Sequence, residues 1–228
     1  LKALCIITAR GGSKRIPRKN IKEFCGKPII AYSIEAALES NLFDEVMVST
    51  DDDEIAEISR KYGAKVPFMR SPKNSDDFST TADVLLEVLE QYKEVGIEPE
   101  SFCCIYPTAP FVTAEKLIKS FEKLNYDHVD SVLPMVKFSF PPQRGLINLD
   151  GKIKFQYPEH MSTRSQDLES IYHDAGQFYW VKTSIFSKEK KLILKSTIGF
   201  ELAETEVQDI DTLDDWKIAE IKFNQLKN

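Results

Sequence analysis

Apolar and polar positions along the chain alternate between two periods, and the alternation predicts the fold. A short apolar run at Ala3–Ala9 has the composition of a buried strand. Helical spacing follows over Pro28–Glu39, opened by a proline suited to a first turn. The pattern then predicts a strand at Glu45–Thr50, a helix at Asp52–Tyr62 stopped by Gly63, and a short strand at Lys65–Phe68. A polar loop, Arg70–Asp77, leads to a helix at Ser79–Glu94 with Val84, Leu85, Val88, Leu89 and Tyr92 on one face. A strand at Ser101–Tyr106, a loop at Pro107–Val112 and a helix at Ala114–Leu124 complete a further unit. Repeated strand and helix imply an α/β fold with three layers, a doubly wound and mostly parallel sheet of Rossmann-like type. In such sheets the ligand crevice lies at the carboxyl ends of the strands.

After about Asp130 the rhythm changes. A strand at Ser131–Val136 runs into a loop-rich stretch lasting to about Ile171, with a hairpin predicted at Leu146–Leu149 and Lys152–Tyr157 around Asp150-Gly151. A strand at Gln177–Lys182 resumes the sheet, and a helix over Asp211–Leu226 closes the chain. The stretch 136–171 is too small for its own core, and it carries Phe138, Phe140, Ile147, Ile153 and Phe155. The expectation is one domain over 1–228 whose excursion at about 136–171 serves dimerisation.

Chemistry concentrates in the first loop. Ala9-Arg10-Gly11-Gly12-Ser13-Lys14-Arg15 leads into Pro17-Arg18-Lys19-Asn20, so five cations fall within ten residues of a chain whose net charge is −6. The glycines let backbone N–H groups approach a ligand closely. A solvated basic turn is the plain alternative, but the strand-then-glycine context favours a triphosphate loop. Neither the Walker A spacing nor G-x-G-x-x-G is present, which sets aside P-loop ATPases and ordinary dinucleotide enzymes.

Asp51-Asp52-Asp53-Glu54 resembles a metal cluster, yet acids in a first helical turn complement the macrodipole, and Asp51 with Glu54 has capping-box spacing. Asp209-Ile210-Asp211 differs: two carboxylates one residue apart on extended backbone point the same way and suit Mg²⁺ shared with substrate phosphates. The alternative there is that Asp211 caps the last helix with Asp214 as its partner. His128, His160 and His173 lack metal-ligand spacing, and no serine nucleophile elbow is present. Phosphate chemistry here is therefore expected as direct displacement. Composition adds bounds: 228 residues, 42% hydrophobic and 29% charged, suit a soluble globular chain, and the acidic balance argues against nucleic acid. Cys5, Cys25, Cys103 and Cys104 show no C-x-x-C spacing, and no run has the length of a signal or membrane helix. The expectation is a cytoplasmic protein with no membrane partner.

These residues resemble a family. Thr8-Ala9-Arg10-Gly11-Gly12-Ser13-Lys14 with Pro17 and Lys19-Asn20 is similar to the A-R-x-x-S-K…K-N signature of the CMP-sugar synthetases that activate sialic-type acids. Val48-Ser49-Thr50-Asp51, Pro107-Thr108-Ala109-Pro110 and Asp209-Ile210-Asp211 fall where that family has V-S-T-D, P-T-S-P and D-I-D. Tyr106 and Val112 stand where sialate enzymes have Gln and Arg, and His173-Asp174-Ala175-Gly176 replaces R-x-N-G. The runs Thr163–Glu169 and Tyr172–Trp180 resemble the pseudaminic acid cytidylyltransferases of flagellated bacteria.

The resemblance implies transfer of CMP from CTP to the anomeric hydroxyl of a nonulosonic acid, with Mg²⁺ and release of pyrophosphate. It implies Arg10, Gly11, Gly12, Ser13, Lys14 and Asn20 at the nucleotide phosphates, and Arg70, Ser79 and Thr81 at ribose and base. Arg10, Lys19 and Asp211 would be catalytic, and Asp209 and Asp211 would hold the metal; apart from the resemblance, the hydroxyl proton is expected to be taken up near Asp211. Tyr106, Gln177 and Tyr179 would face the sugar, and Arg144 would reach the neighbouring site of a homodimer with exchanged excursions. Legionaminic, N-acetylneuraminic and octulosonic acids are alternative acceptors, and a non-catalytic nucleotide-binding module is the alternative from another class.

Overall fold

Strand β1 (Ala3–Thr8) shows how the sequence builds the layers. Its residues alternate between two cores: Cys5 and Ile7 face one, Leu4 and Ile6 the other, and all four are fully buried. A strand buried on both faces needs a helix layer on each side. The first layer is α1 (Ile29–Ser40), α2 (Asp53–Lys61) and α4 (Ala114–Leu124), contributing Ile30, Ile34, Ile55 and Leu117. The second is α3 (Thr81–Glu94), with Leu85, Val88, Leu89 and Tyr92, and the short α5 (Thr183–Glu189), with Phe186. The structure, a computed structural model, describes residues 2–76 and 78–227; the predicted loop Arg70–Asp77 ends on Asp77, outside the described residues.

The remaining strands are β2 (Glu23–Phe24), β3 (Lys27–Pro28), β4 (Glu45–Ser49), β5 (Ser101–Ile105), β6 (Ser131–Lys137), β7 (Leu146–Leu149), β8 (Lys152–Phe155), β9 (Tyr172–Asp174), β10 (Phe178–Lys182) and β11 (Thr197–Leu202). The main sheet has the order β11-β6-β10-β5-β1-β4, with β9 added along β6. β4, β1 and β5 run parallel, as do β6 and β11; β10 is antiparallel to both its neighbours. The predicted mostly parallel α/β sheet is observed, with β10 and the short β9 as its reversals.

Register sets the functional edge. Thr8 pairs with Ser49 and Ile7 with Ile105, so the loops after β1, β4 and β5 leave from one side. Because β10 is reversed, Phe178 opposite Ile105 brings the turn that enters β10 to that same side. The predicted strand at Lys65–Phe68 is reduced to a single bridge from Lys65 to Met47. The hairpin β7–β8 forms as a separate two-stranded sheet, with Asp150 and Gly151 both at positive φ as its two-residue turn demands.

A third apolar cluster lies outside the two layers. Ile16, Phe24, Ile29, Tyr32 and Phe111 meet Ile210, Trp216 and Ala219, which docks α6 (Leu213–Leu226) beside the first loop. No helix among the described residues is long and apolar enough to cross a membrane.

Candidate active site

The basic loop is shaped by two anchors and one acidic helix end. Ile16, 1% exposed, pins its middle into the third cluster. Asn20 is buried and donates from Nδ2 to the Arg10 carbonyl at 2.9 Å, closing the loop on itself. Arg18 sits in the left-handed region at φ 55° and grips Asp52 through Nη1 (2.5 Å) and Nη2 (2.9 Å), with Glu54 as a further partner. Gly11 N donates to Asp51 Oδ1 at 2.9 Å. A Cβ on Gly11 would lie 2.8 Å from Asp52 Oδ2, a contact the fixed carboxylate cannot relieve. The acidic run therefore moulds the loop. The cap of α2 is Asp52, whose side chain accepts from Ile55 N, not Asp51, whose carboxylate is taken by Gly11.

On its inner side the loop walls a cavity of about 390 Å³ with Arg10, Ser13, Lys14, Lys19, Asn20 and Tyr106 on its lining. An adjoining cavity of about 240 Å³ shares Arg10 and Tyr106 and adds Arg70, Ser79 and Thr81. Gly11 and Gly12 line the loop's outer mouth. Cationic and nucleoside-side candidates, far apart in sequence, thus meet across one Tyr106 wall. Arg70 is itself buried and donates to Ser49 Oγ (3.0 Å) and Ser49 O (2.6 Å); burial pushes its pKa down, while Asp51 and Glu87 oppose the shift. Ser79 Oγ lies 2.7 Å from Asp76 Oδ1, Arg10 Nη1 donates to Asp76 O at 2.9 Å, and Thr81 Oγ1 is 3.4 Å from Tyr106 OH.

The 209–211 segment meets the loop from the other side. Lys19 Nζ donates to Ile210 O at 2.7 Å and stands 3.6 Å from Asp211 Oδ1, while Arg15 Nη1 is 2.8 Å from Asp211 Oδ2. Asp211 is not the cap of α6. Thr212 is the N-cap, in a capping box with Asp215, so Asp214 is not the partner either. That leaves the Asp211 carboxylate to the cations. Asp209 is exposed on the neighbouring cavity, with Asp174 and His173. Among the described residues no three acids, histidines or cysteines gather into a metal site. Two hard carboxylates beside a phosphate loop nevertheless fit an ion that arrives with its nucleotide, since Mg²⁺ commonly takes one or two carboxylates plus phosphate oxygens.

The other candidates are placed differently. Tyr179 is buried and its hydroxyl donates to Asp174 Oδ2 at 2.6 Å, while its ring stands edge-on to Tyr106 at 5.5 Å. Gln177, 2% exposed, donates to Glu206 O at 2.7 Å inside the fold, and its Oε1 has no partner among the described residues. It lines none of the cavities described here. Arg144 lies on the excursion, 3.4 Å from Ser165 Oγ, and lines neither loop cavity within its own chain. Asp76 joins the site without having been singled out, while Arg15, counted among the loop cations, and Asp174, noted in the His173–Gly176 motif, are given their partners by the tertiary fold.

The chain was compared with known proteins. The sequence model of a family described as cytidylyltransferase matches residues 4–226. A pseudaminic acid cytidylyltransferase of Campylobacter jejuni subsp. jejuni serotype O:2 is 41% identical over 98% of this chain and 97% of its own. A CMP-N,N'-diacetyllegionaminic acid synthase of Legionella pneumophila is 32% identical over 99% and 98%. Among solved structures, a CMP:2-keto-3-deoxy-manno-octonic acid synthetase complexed with CTP superposes with a TM-score of 0.73 at 18% identity, covering 99% of this chain and 100% of the other, a likeness of fold.

The Asp52–Arg18 pair makes a pH prediction. The Arg18 hydrogen bond lowers the Asp52 pKa from 3.8 to about 2. A carboxylate with a depressed folded-state pKa stabilises above its unfolded value and loses that contribution as pH falls through the folded one. Asp52→Asn keeps a competent cap. Its stability deficit against wild type should therefore hold from neutral pH to about 4 and fade by about 2 in denaturant titrations. A deficit that persists unchanged at the lowest pH would show that the pair does not depend on the charge.

Proposed function

The chain belongs to the cytidylyltransferase family, and from that premise we propose that it transfers CMP from CTP to the anomeric hydroxyl of a nonulosonic acid, pseudaminic acid before its legionaminic, sialic or octulosonic relatives. The single observation that carries the chemistry is the meeting of the basic loop with Asp211 through Lys19 and Arg15. The acceptor preference is supported by a full-length likeness that is higher to the pseudaminic enzyme than to the legionaminic one.

The hydroxyl oxygen forms a bond to the α-phosphorus, the bond from that phosphorus to the β-phosphate bridging oxygen breaks, and pyrophosphate leaves with its electron pair. Arg10, Lys14 and Lys19 offset charge on the phosphoryl oxygens, with Ser13, Asn20 and the Gly11-Gly12 backbone placing the triphosphate. Mg²⁺, when bound by Asp209 and Asp211 with the nucleotide, supplies further neutralisation of that charge. In this reading the hydroxyl proton is taken up near Asp211. Arg70, Ser79 and Thr81 hold the nucleoside, across Tyr106 from the phosphates. Four free cysteines, three of them buried, suit a reducing compartment, and the reading places the enzyme in the cytoplasm.

Asp211→Ala should lower turnover by roughly two to three orders of magnitude, as loss of one transition-state electrostatic partner does, with little change in melting temperature. Thr212→Ala should do the reverse, costing about 1 kcal/mol of stability and retaining most turnover. Chelation by EDTA should stop pyrophosphate release, added Mg²⁺ should restore it, and CTP should far outperform ATP and GTP. Activity that survives in Asp211→Ala or under chelation would remove the metal carboxylate from the account; equal rates with purine nucleotides would remove the nucleoside pocket.

The excursion supports a two-fold dimer. Phe140 is 87% exposed and Ile153 68%, and Leu146, Leu149 and Met161 are exposed around them, an apolar surface that a second copy would cover. In that arrangement Arg144 serves the neighbouring site. Mixing Arg144→Ala with Asp211→Ala subunits yields mixed dimers with one site intact and one doubly defective. Random assortment should return about a quarter of wild-type sites. No gain over either parent, or a fully active monomer, would contradict the exchange.

A further inference from the structure

Beyond the basic loop, Asp209 opens onto a cavity of about 420 Å³ between the end of β6 and the segment leading to α6, with Phe138, His173, Asp174, Lys137 and Lys222 on its walls. Asp174 is exposed there yet held at both oxygens: Tyr179 OH donates to Oδ2 at 2.6 Å and Gly176 N to Oδ1 at 2.7 Å. Its backbone is fixed as well, paired with Met135 where β9 meets β6. A carboxylate so oriented keeps lone pairs for a ligand and can only accept, so it selects hydroxyl or amide N–H groups. Phe138 packs on His173 at 4.7 Å between ring centroids and remains 37% exposed, offering an apolar face to C–H groups. Lys222 Nζ donates to the carbonyls of Glu204 (3.2 Å) and Val207 (2.8 Å), contacts that fix its position without cancelling its charge.

Two connections tie this cavity to the cationic one. The 209–211 segment joins them, since Asp209 lines this cavity and Asp211 stands at Lys19 of the cationic one. The Asp174–Tyr179 pair abuts Tyr106, the wall of both nucleotide cavities. A molecule placed here needs hydrogen-bond donors for Asp174, a C–H face for Phe138 and an anionic group for lysine. A hydroxylated, acylamino-bearing keto acid carries all three. We propose that this cavity seats the acceptor sugar acid, with Asp174 as its specificity-determining hydrogen-bond acceptor, Phe138 as its apolar platform and Lys222 toward its carboxylate. This assignment rests on the cytidylyl-transfer reading. It brings Asp174, three residues ahead of the buried Gln177, into acceptor recognition.

The test is steady-state kinetics of Asp174→Asn and Phe138→Ala with pseudaminic acid and CTP varied separately, and CTP binding followed by calorimetry. Losing a charged acceptor should raise the sugar KM about tenfold or more in Asp174→Asn and leave the CTP KM and CTP affinity within about twofold. Phe138→Ala removes a partly exposed ring and should show the same one-sided rise, which keeps the test decisive if Asp174→Asn folds poorly. An unchanged sugar KM in a folded variant, or equal rises for both substrates, would overturn the assignment. If the wild-type chain releases no pyrophosphate with any acid of this class, the transfer reading fails first, and the assignment falls with it.

Discussion

The site depends on one apolar contact, the docking of Ile210 and Trp216 against Ile16 and Phe24. Every residue of that group is nearly inaccessible, at 4% exposed or less. Truncating such a buried aromatic typically costs about 3–5 kcal/mol, so the contact is strong enough to position what flanks it. On the loop side it fixes Arg15 and Lys19; on the chain's late side it fixes Asp209 and Asp211. Residues nearly two hundred positions apart are thus held within ion-pair distance by packing, and the ion pairs themselves need supply little. Arg15 and Asp211 are partly exposed, and pairs of that kind contribute at most about 1 kcal/mol.

Charge is then divided between structure and ligand. Arg18 is committed to Asp52 and Glu54, and Gly11 N to Asp51, so the acidic start of α2 holds the loop in shape. A loop ordered beforehand does not have to be ordered by the nucleotide, which conserves binding free energy for the transition state. Lys19 has both roles: its bond to Ile210 O locks the two halves of the site, and the same ammonium lines the cationic cavity. Strand β9 and the reversed strand β10 complete the arrangement by delivering Asp174 and Tyr179, in that order, to the edge where the parallel strands end.

Elements with a strong period were legible in the sequence. β1, β4, β5, α1, α3 and α4 fall within a few residues of their expected bounds, because one-sided or two-sided burial writes itself into apolar spacing. The Asp150-Gly151 turn was equally clear, since its positive φ values restrict residue choice. The reversal of β10 was not legible, because alternation is the same for parallel and antiparallel pairs. The elements α5 and β11 were missed: seven residues around Phe186 and a half-buried edge strand owe their form to the sheet they join. The caps of α2 and α6 each sit one residue later than the spacing suggested. In both, the earlier aspartate meets a long-range partner, Gly11 N for Asp51 and Arg15 for Asp211. The loop cations and the Asp209–Asp211 spacing were visible as chemistry, whereas the burial of Gln177 and the fixing of Asp174 required the fold.

The central claim is that phosphorus transfer occurs at the α position, between the basic loop and Asp211. Isotopic labelling tests it most directly. CTP labelled at the α- or the γ-phosphorus is incubated with the enzyme, Mg²⁺ and pseudaminic acid, and the products are separated. The account predicts the α label in the sugar nucleotide and the γ label in pyrophosphate, both dependent on the acid. Appearance of the γ label on the sugar, or release of labelled CMP at a rate indifferent to the acid, would contradict it.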